Sequence, residues 1–87
     1  VVKVVNDLAD NPVGRVDKTH NWGNHVVVLD ERGFYVELSH FAPESIAVKV
    51  GQQVDRGQLL GLCGNSGYSP QPHLHIHVQA TEHIEAG

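Results

Sequence analysis

Three histidines alternate with three aliphatic residues near the end of the chain, in the run Pro72-His73-Leu74-His75-Ile76-His77-Val78. Because alternate side chains of a β-strand point to opposite faces, an extended conformation would gather the three imidazoles on one face and the aliphatic groups on the other. Histidine is the commonest metal ligand and the usual proton shuttle near neutral pH. The pattern therefore predicts a β-strand with one face in the core and the other in a site.

Short valine-rich runs between glycines and prolines continue the β pattern along the rest of the chain. The sequence from Asp30 to Gly33 predicts a hairpin turn, in which Gly33 supplies a positive φ and Asp30 is a turn former rather than a ligand. No long period of 3.6 residues occurs. The predicted fold class is all-β, an antiparallel sheet or sandwich of short strands with a groove and no substantial helix, whose further strands are 1–5, 25–29, 34–40, 47–50 and 59–63.

Composition excludes several functional classes. A chain of 87 residues is one small domain or a piece of one. The net charge of −4 leaves no basic patch, so nucleic acid is not an expected partner. No apolar run approaches the roughly 18 residues of a membrane-spanning helix. Cys63 is the only cysteine, so it forms no internal disulfide and is predicted to be a small buried hydrophobe.

Four motifs, taken together and in this order, resemble the lysostaphin-type (LytM-like) zinc metallopeptidases, which are peptidoglycan endopeptidases. The resemblance covers roughly residues 1–79. Its parts are Gly23-Asn24-x-Val26-x-Val28, Ser39-His40-Phe41, Val50-Gly51-x-x-Val54-x-x-Gly57-x-x-Leu60-Gly61-x-x-Gly64-Asn65-Ser66-Gly67, and Pro72-His73-Leu74-His75.

The resemblance implies a groove with a single zinc ion held by two histidines and an aspartate. His75, the second histidine of the His-x-His element, would be a zinc ligand. His40 and His73 would be the catalytic imidazoles, acting as general base and electrostatic stabiliser. The substrates would be stem peptides or cross-bridges of peptidoglycan, and the location would be extracytoplasmic.

Two departures from the family pattern matter. Leu38 stands two residues before His40, where the family often has tyrosine, and the second departure is the more serious. The family's upstream His-x-x-x-Asp motif is absent, and the pair His20 and Asn24 has the spacing without the carboxylate. We therefore expect residues 1–87 to be a partial metallopeptidase-like domain, truncated before that motif, inactive alone and weak in zinc binding. Of the other histidines, His77 is expected in the groove wall, and a surface position is expected for His20, His25 and His83.

Two alternative functions remain open at this stage. One is a degenerate, non-catalytic domain of the same fold that binds the cell wall or activates other hydrolases. The other is a biotinyl or lipoyl carrier domain modified at Lys18 or Lys49, although neither lysine has the sequence context of such domains. Exposed strand edges would in any case favour self-association.

Overall fold

The computed structural model describes residues 1–12, 14, 19, 22–67, 69 and 71–80. These residues contain four β-strands and no helix, which confirms the predicted all-β class. The strands form one antiparallel sheet in the order β1-β2-β3-β4. Within the described ranges there is accordingly no helix that could cross a membrane. The strand bounds are β1 Lys3–Val5, β2 Asn24–Leu29, β3 Tyr35–Phe41 and β4 His75–Gln79.

The hairpin between β2 and β3 is closed by the side chain of Asp30. Its carboxylate accepts hydrogen bonds from the backbone N–H groups of Arg32 and Phe34, and it forms an ion pair with the Arg32 guanidinium at 2.8 Å. The hydrogen bond from Arg32 lowers the pKa of Asp30. Gly33 has a φ of +88°. The predicted turn and the role of Asp30 are confirmed.

The hydrophobic core lies on one face of the sheet. Val26 on β2 and Phe41 at the end of β3 are buried there with two residues of the following segment, Ile46 and Val48. The partly buried Leu38 packs against this cluster, as do Val4 and Val28. Since β-branched and aromatic side chains pack well on a pleated surface, these residues favour the strands in which they lie.

Two predicted strands, 47–50 and 59–63, are wrong. Both segments run beside one another, and the Ala47 N–H donates to the Leu60 carbonyl at 2.7 Å, but only Cys63 forms a β-bridge, with Phe41. The chain turns at residues 50–51 and 56–57, where Gly51 and Gly57 have positive φ, so the pairing of the two segments does not continue as a ladder. Cys63 is exposed, so its predicted burial is also wrong.

Strand β4 begins at His75 and forms an edge of the sheet, paired among the described residues with β3 alone. Its aliphatic residues were expected in the core, yet Leu74, Ile76 and Val78 are 47%, 59% and 53% exposed. The reason is position: the buried cluster lies beneath the central strands and does not extend under this edge. The outer edges of β1 and β4 are where self-association was predicted, and that expectation stays a prediction.

Candidate active site

The face of the sheet opposite the core carries polar side chains in two cross-strand rows. The register aligns His25 with Ser39, and Ser39 with His75. The next row contains Glu37 opposite His77. Since directly opposed residues of an antiparallel pair project to the same face, this arrangement gathers the polar groups of three strands on one surface.

His40 departs from the alternation of β3. Strict alternation along β3 would put His40 on the same face as Leu38, which packs against the core, yet the His40 ring lies 4.7 Å from the His73 ring and 6.0 Å from the His75 ring. The cause is a φ of 67°, a left-handed conformation that non-glycine residues seldom adopt. It turns the side chain towards the polar face, and such conformations cluster at functional sites.

Backbone hydrogen bonds fix both the position and the tautomer of His40. Its N–H donates to the Trp22 carbonyl at 3.1 Å, and its Nδ1 lies 2.7 Å from the Ser66 carbonyl oxygen. Because a carbonyl oxygen only accepts, Nδ1 carries the proton and Nε2 keeps its lone pair. Burial lowers the pKa of His40, and the neighbouring His73 and His75 lower it further, so the imidazole is held neutral.

His73 is the exposed member of the group and precedes β4. Its Nδ1 lies 2.9 Å from the Gln71 carbonyl oxygen and 3.0 Å from the Ser69 hydroxyl. The buried Ser69 hydroxyl in turn donates to the same carbonyl at 2.8 Å. Because a carbonyl oxygen only accepts, Nδ1 of His73 carries a proton that is directed at Gln71.

His75 lies at the centre of a row of rings. Its imidazole is half-buried, and its Nε2 is buried with no hydrogen-bond partner among the residues described. The rings of Trp22, His40 and His77 lie 5.1, 6.0 and 6.4 Å away, respectively. A buried polar atom without a partner costs free energy, and such an atom is expected where a ligand completes the site.

Two residues of the polar face were missed or misjudged from sequence. Glu37 is fully buried, its Oε1 has no partner within the described ranges, and burial raises its pKa to about 7. His25 was predicted at the surface, which is wrong: it is 7% exposed, and its Nδ1 contacts the Gly23 carbonyl at 2.8 Å. Burial lowers the pKa of His25. His20 and His83 lie outside the described residues.

A polar network links the loop before β4 to β2 and β3. The Ser66 hydroxyl accepts from the Asn24 N–H at 2.9 Å and donates to the Phe41 carbonyl at 2.7 Å. The Asn24 side chain bonds both backbone groups of Leu8 and the Phe41 carbonyl. At Gly23, a Cβ would stand 2.4 Å from the Ser66 carbonyl carbon. The loop that holds His40 through Ser66 is therefore tightly placed.

The described residues meet only part of the requirement for a zinc site. A catalytic zinc takes three protein ligands and keeps one position open. The partnerless Nε2 of His75 fits the role of a single imidazole ligand. In the part of the chain that the structure describes, no group of three histidine, cysteine, aspartate or glutamate side chains is placed to hold a metal.

Comparisons with protein families and with curated proteins point to the family that the sequence motifs resemble. The model of peptidase family M23 matches residues 5–85. The chain is 43% identical over 56 residues to the peptidoglycan DD-endopeptidase ShyA of Vibrio cholerae, which covers 64% of this chain and 13% of that protein. It is 36% identical over 77 residues to the glycyl-glycine endopeptidase ALE-1 of Staphylococcus capitis, covering 83% and 20% of the two chains.

A third relative is lysostaphin of Staphylococcus simulans, 39% identical over 58 residues, which covers 62% of this chain and 11% of that protein. The chain spans a fifth or less of the length of these curated relatives. No solved structure matches it significantly.

Proposed function

This chain belongs to peptidase family M23, and on that premise we propose that it contributes the histidine site of a zinc-dependent endopeptidase that hydrolyses peptide cross-links in bacterial peptidoglycan. The observation that carries the proposal is the convergence of three imidazoles, with His40 lying 4.7 Å from His73 and 6.0 Å from His75. Relatives named as peptidoglycan and glycyl-glycine endopeptidases support the substrate class. Because peptidoglycan is the substrate, the proposed location is extracytoplasmic.

The proposed role of His75 is to supply one zinc ligand through its partnerless imidazole nitrogen. When bound, zinc would polarise the scissile carbonyl and make the attacking water more acidic. The remaining ligands would come from outside the described residues, which hold no complete group of three.

His40 is proposed as the general base. A base must be neutral and present a lone pair to the proton that it removes. Both conditions hold at Nε2, because burial lowers the pKa of His40 and the Ser66 carbonyl retains the proton on Nδ1. The proton leaving the attacking water would then move to Nε2, and the ring would not need to rotate.

His73 is proposed as the electrostatic stabiliser of the developing negative charge. Stabilisation of an oxyanion needs a donor aimed at the place where charge appears. The Nδ1–H of His73 is directed at the Gln71 carbonyl, so only the doubly protonated ring donates from Nε2. The exposure of His73 leaves its imidazole accessible to solvent and substrate.

The test is hydrolysis of purified cell walls by the longer protein that contains this chain, with release of new amino groups measured and muropeptides separated by chromatography. Cross-linked fragments should decrease as free stem or bridge peptides accumulate. His40→Asn, which tolerates a left-handed backbone, serves as the inactive control. Zinc-loaded protein that leaves all cross-links intact would contradict the proposal.

A second candidate is a non-catalytic domain of the same fold that binds the cell wall or activates another hydrolase. The absence of a three-ligand group among the described residues favours it. Wall binding measured by sedimentation, without any release of amino groups by zinc-loaded protein, would support this candidate over the enzyme. Membership in the family leaves the carrier alternative without support.

A further inference from the structure

Trp22, which immediately precedes the first motif of the chain, has its backbone fixed from two sides. Its carbonyl accepts the His40 N–H at 3.1 Å. The following Gly23 has a φ of +61° and approaches Ser66 so closely that a Cβ would stand 2.4 Å from the Ser66 carbonyl carbon. A side chain attached at this point therefore has a defined position relative to His40 and to the loop that holds it.

The indole of Trp22 lies against the two histidines of β4. Its ring is 5.1 Å from the His75 ring at a tilt of 43° and 5.8 Å from the His77 ring at a tilt of 41°. Tilted aromatic pairs at such separations are attractive beyond the surface that they bury. Trp22 is therefore the described residue whose ring comes nearest to His75.

The three histidines of the site differ in how their rings are oriented. Backbone carbonyls hold the Nδ1 atoms of His40 and His73. The Nε2 of His75 has no partner among the described residues, and its strand is an edge of the sheet. Ring packing against the indole is thus the contact that distinguishes His75 from its two neighbours.

We propose that Trp22 is a positioning residue that orients the His75 imidazole for metal binding, with the indole taking the place of the backbone carbonyl that orients each of the other two histidines. The inference deepens the proposed function: its zinc-affinity and turnover measurements rest on that function, whereas its measurement of ring order does not. A ligand that is held in one orientation binds metal more tightly than a freely rotating one, because less freedom is lost on binding.

The experiment compares Trp22→Leu, which keeps apolar bulk without a ring, with Trp22→Phe, which keeps a ring. Phe34→Ala is the matched control, since Phe34 is an aromatic residue at the hairpin, 43% exposed and outside the site. The first readout is carbon relaxation of the histidine Cε1–H groups in the zinc-free 87-residue chain. His73, which the Gln71 carbonyl holds, is the internal reference.

In Trp22→Leu, we expect the order parameter of the His75 ring to fall below about 0.6, while that of His73 is unchanged. The zinc affinity of the longer protein, measured by competition with a chelator, should fall about tenfold or more in Trp22→Leu. Trp22→Phe should recover both quantities, and Phe34→Ala should change neither. An unaltered His75 order parameter in a folded Trp22→Leu variant would overturn the inference.

The turnover measurement uses the longer, zinc-saturated protein. Trp22→Leu should lower kcat with KM unchanged, because the orientation of the metal ligand acts on the chemical step rather than on substrate binding. If His75 loosens as expected but wild-type protein hydrolyses no cross-links, the proposed function fails and the positioning role stands. If wild-type protein is active and Trp22→Leu matches it in both kcat and His75 order, the positioning role fails alone.

Discussion

The imidazole rings of His40 and His73 lie 4.7 Å apart at a tilt of 41°, and each ring has its Nδ1 committed to a backbone carbonyl, of Ser66 in one case and of Gln71 in the other. In each ring Nε2 is therefore the nitrogen that remains available to substrate or water. This pairing suits the proposed division of roles, in which one imidazole removes a proton and the other stabilises developing charge.

Removal of either imidazole should abolish most of the turnover and leave the metal in place. We expect His40→Asn and His73→Gln, made in the longer protein, to lower kcat by about 10²–10⁴-fold, the usual contribution of general acid–base groups. Elemental analysis should find wild-type zinc content in both. Glu31→Gln, on the exposed hairpin, is the control. Wild-type turnover in either variant would remove that histidine from the catalytic set.

Removal of His75 should instead cause loss of the metal. His75→Ala takes away the partnerless buried nitrogen that fits a metal, so we expect the longer protein to lose its zinc during purification. Metal content measured by elemental analysis checks this. One equivalent of zinc in the purified variant would refute the assignment of His75 as a ligand.

The 87-residue chain alone should bind zinc weakly and show no hydrolysis. Its described residues hold no group of three ligands, and zinc affinity depends on several deprotonated ligands that the fold holds together. Calorimetric titration with Zn²⁺ at neutral pH, beside a cell-wall hydrolysis assay, measures both properties. Sub-micromolar binding accompanied by turnover would show that the chain carries a complete site.

Glu37→Gln should stabilise the protein at alkaline pH. The folded state raises the pKa of Glu37 to about 7 from an ordinary 4.5, because burial disfavours the carboxylate. Stability from the protonated carboxyl is therefore complete below the ordinary pKa and is lost as pH rises through the folded value. The amide avoids this loss, so we expect a gain of about 1–3 kcal/mol at pH 8.

The measurement is denaturant unfolding of wild-type and Glu37→Gln chains at pH 4 and pH 8. Charged or titratable groups that face Glu37 from neighbouring strands are Lys3, His25 and His77. They are present in both chains, so the difference between the two isolates Glu37. A gain that is the same at pH 4 and pH 8 would show that Glu37 does not titrate in this range.

Gly23→Ala should be far more destabilising than Gly33→Ala, although both glycines have positive φ. The methyl group at position 23 would collide with the Ser66 backbone, whereas nothing lies within 4 Å of the corresponding position at Gly33. We expect about 1 kcal/mol for Gly33→Ala, the cost of the left-handed conformation, and about 3 kcal/mol or more for Gly23→Ala. Similar unfolding free energies for the two variants would contradict the close approach.

The all-β class and several strand positions were predictable because local pattern determines them. The shared face of His75 and His77 and the Asp30 turn depend on residues close in sequence, and the sheet confirms both, although the aliphatic face of β4 is exposed. The irregular structure of the segments 47–50 and 59–63 was not predictable, because valine and leucine favour strands. The turns beside them, at Gly51 and Gly57, have positive φ and interrupt the extended backbone.

Other features depended on contacts that no local pattern contains. The ring of His40 faces His73 because its φ is 67°, a conformation fixed by hydrogen bonds to Trp22 and Ser66. The burial of Glu37 follows from its place on a central strand, β3, which lies between β2 and β4. No sequence pattern singled out Glu37, because a glutamate on a strand usually lies on a solvated face.

Strand β4 joins the described sheet through β3 alone and leaves its aliphatic side chains largely in water. An edge strand with few buried contacts opens at lower free energy than the strands beside it. Amide hydrogens of β4 should therefore exchange with solvent faster than those of β2 and β3. Each opening separates His75 from His40 while the rest of the sheet stays folded. A metal ion bound to His75 should therefore slow the exchange of amide hydrogens across this strand.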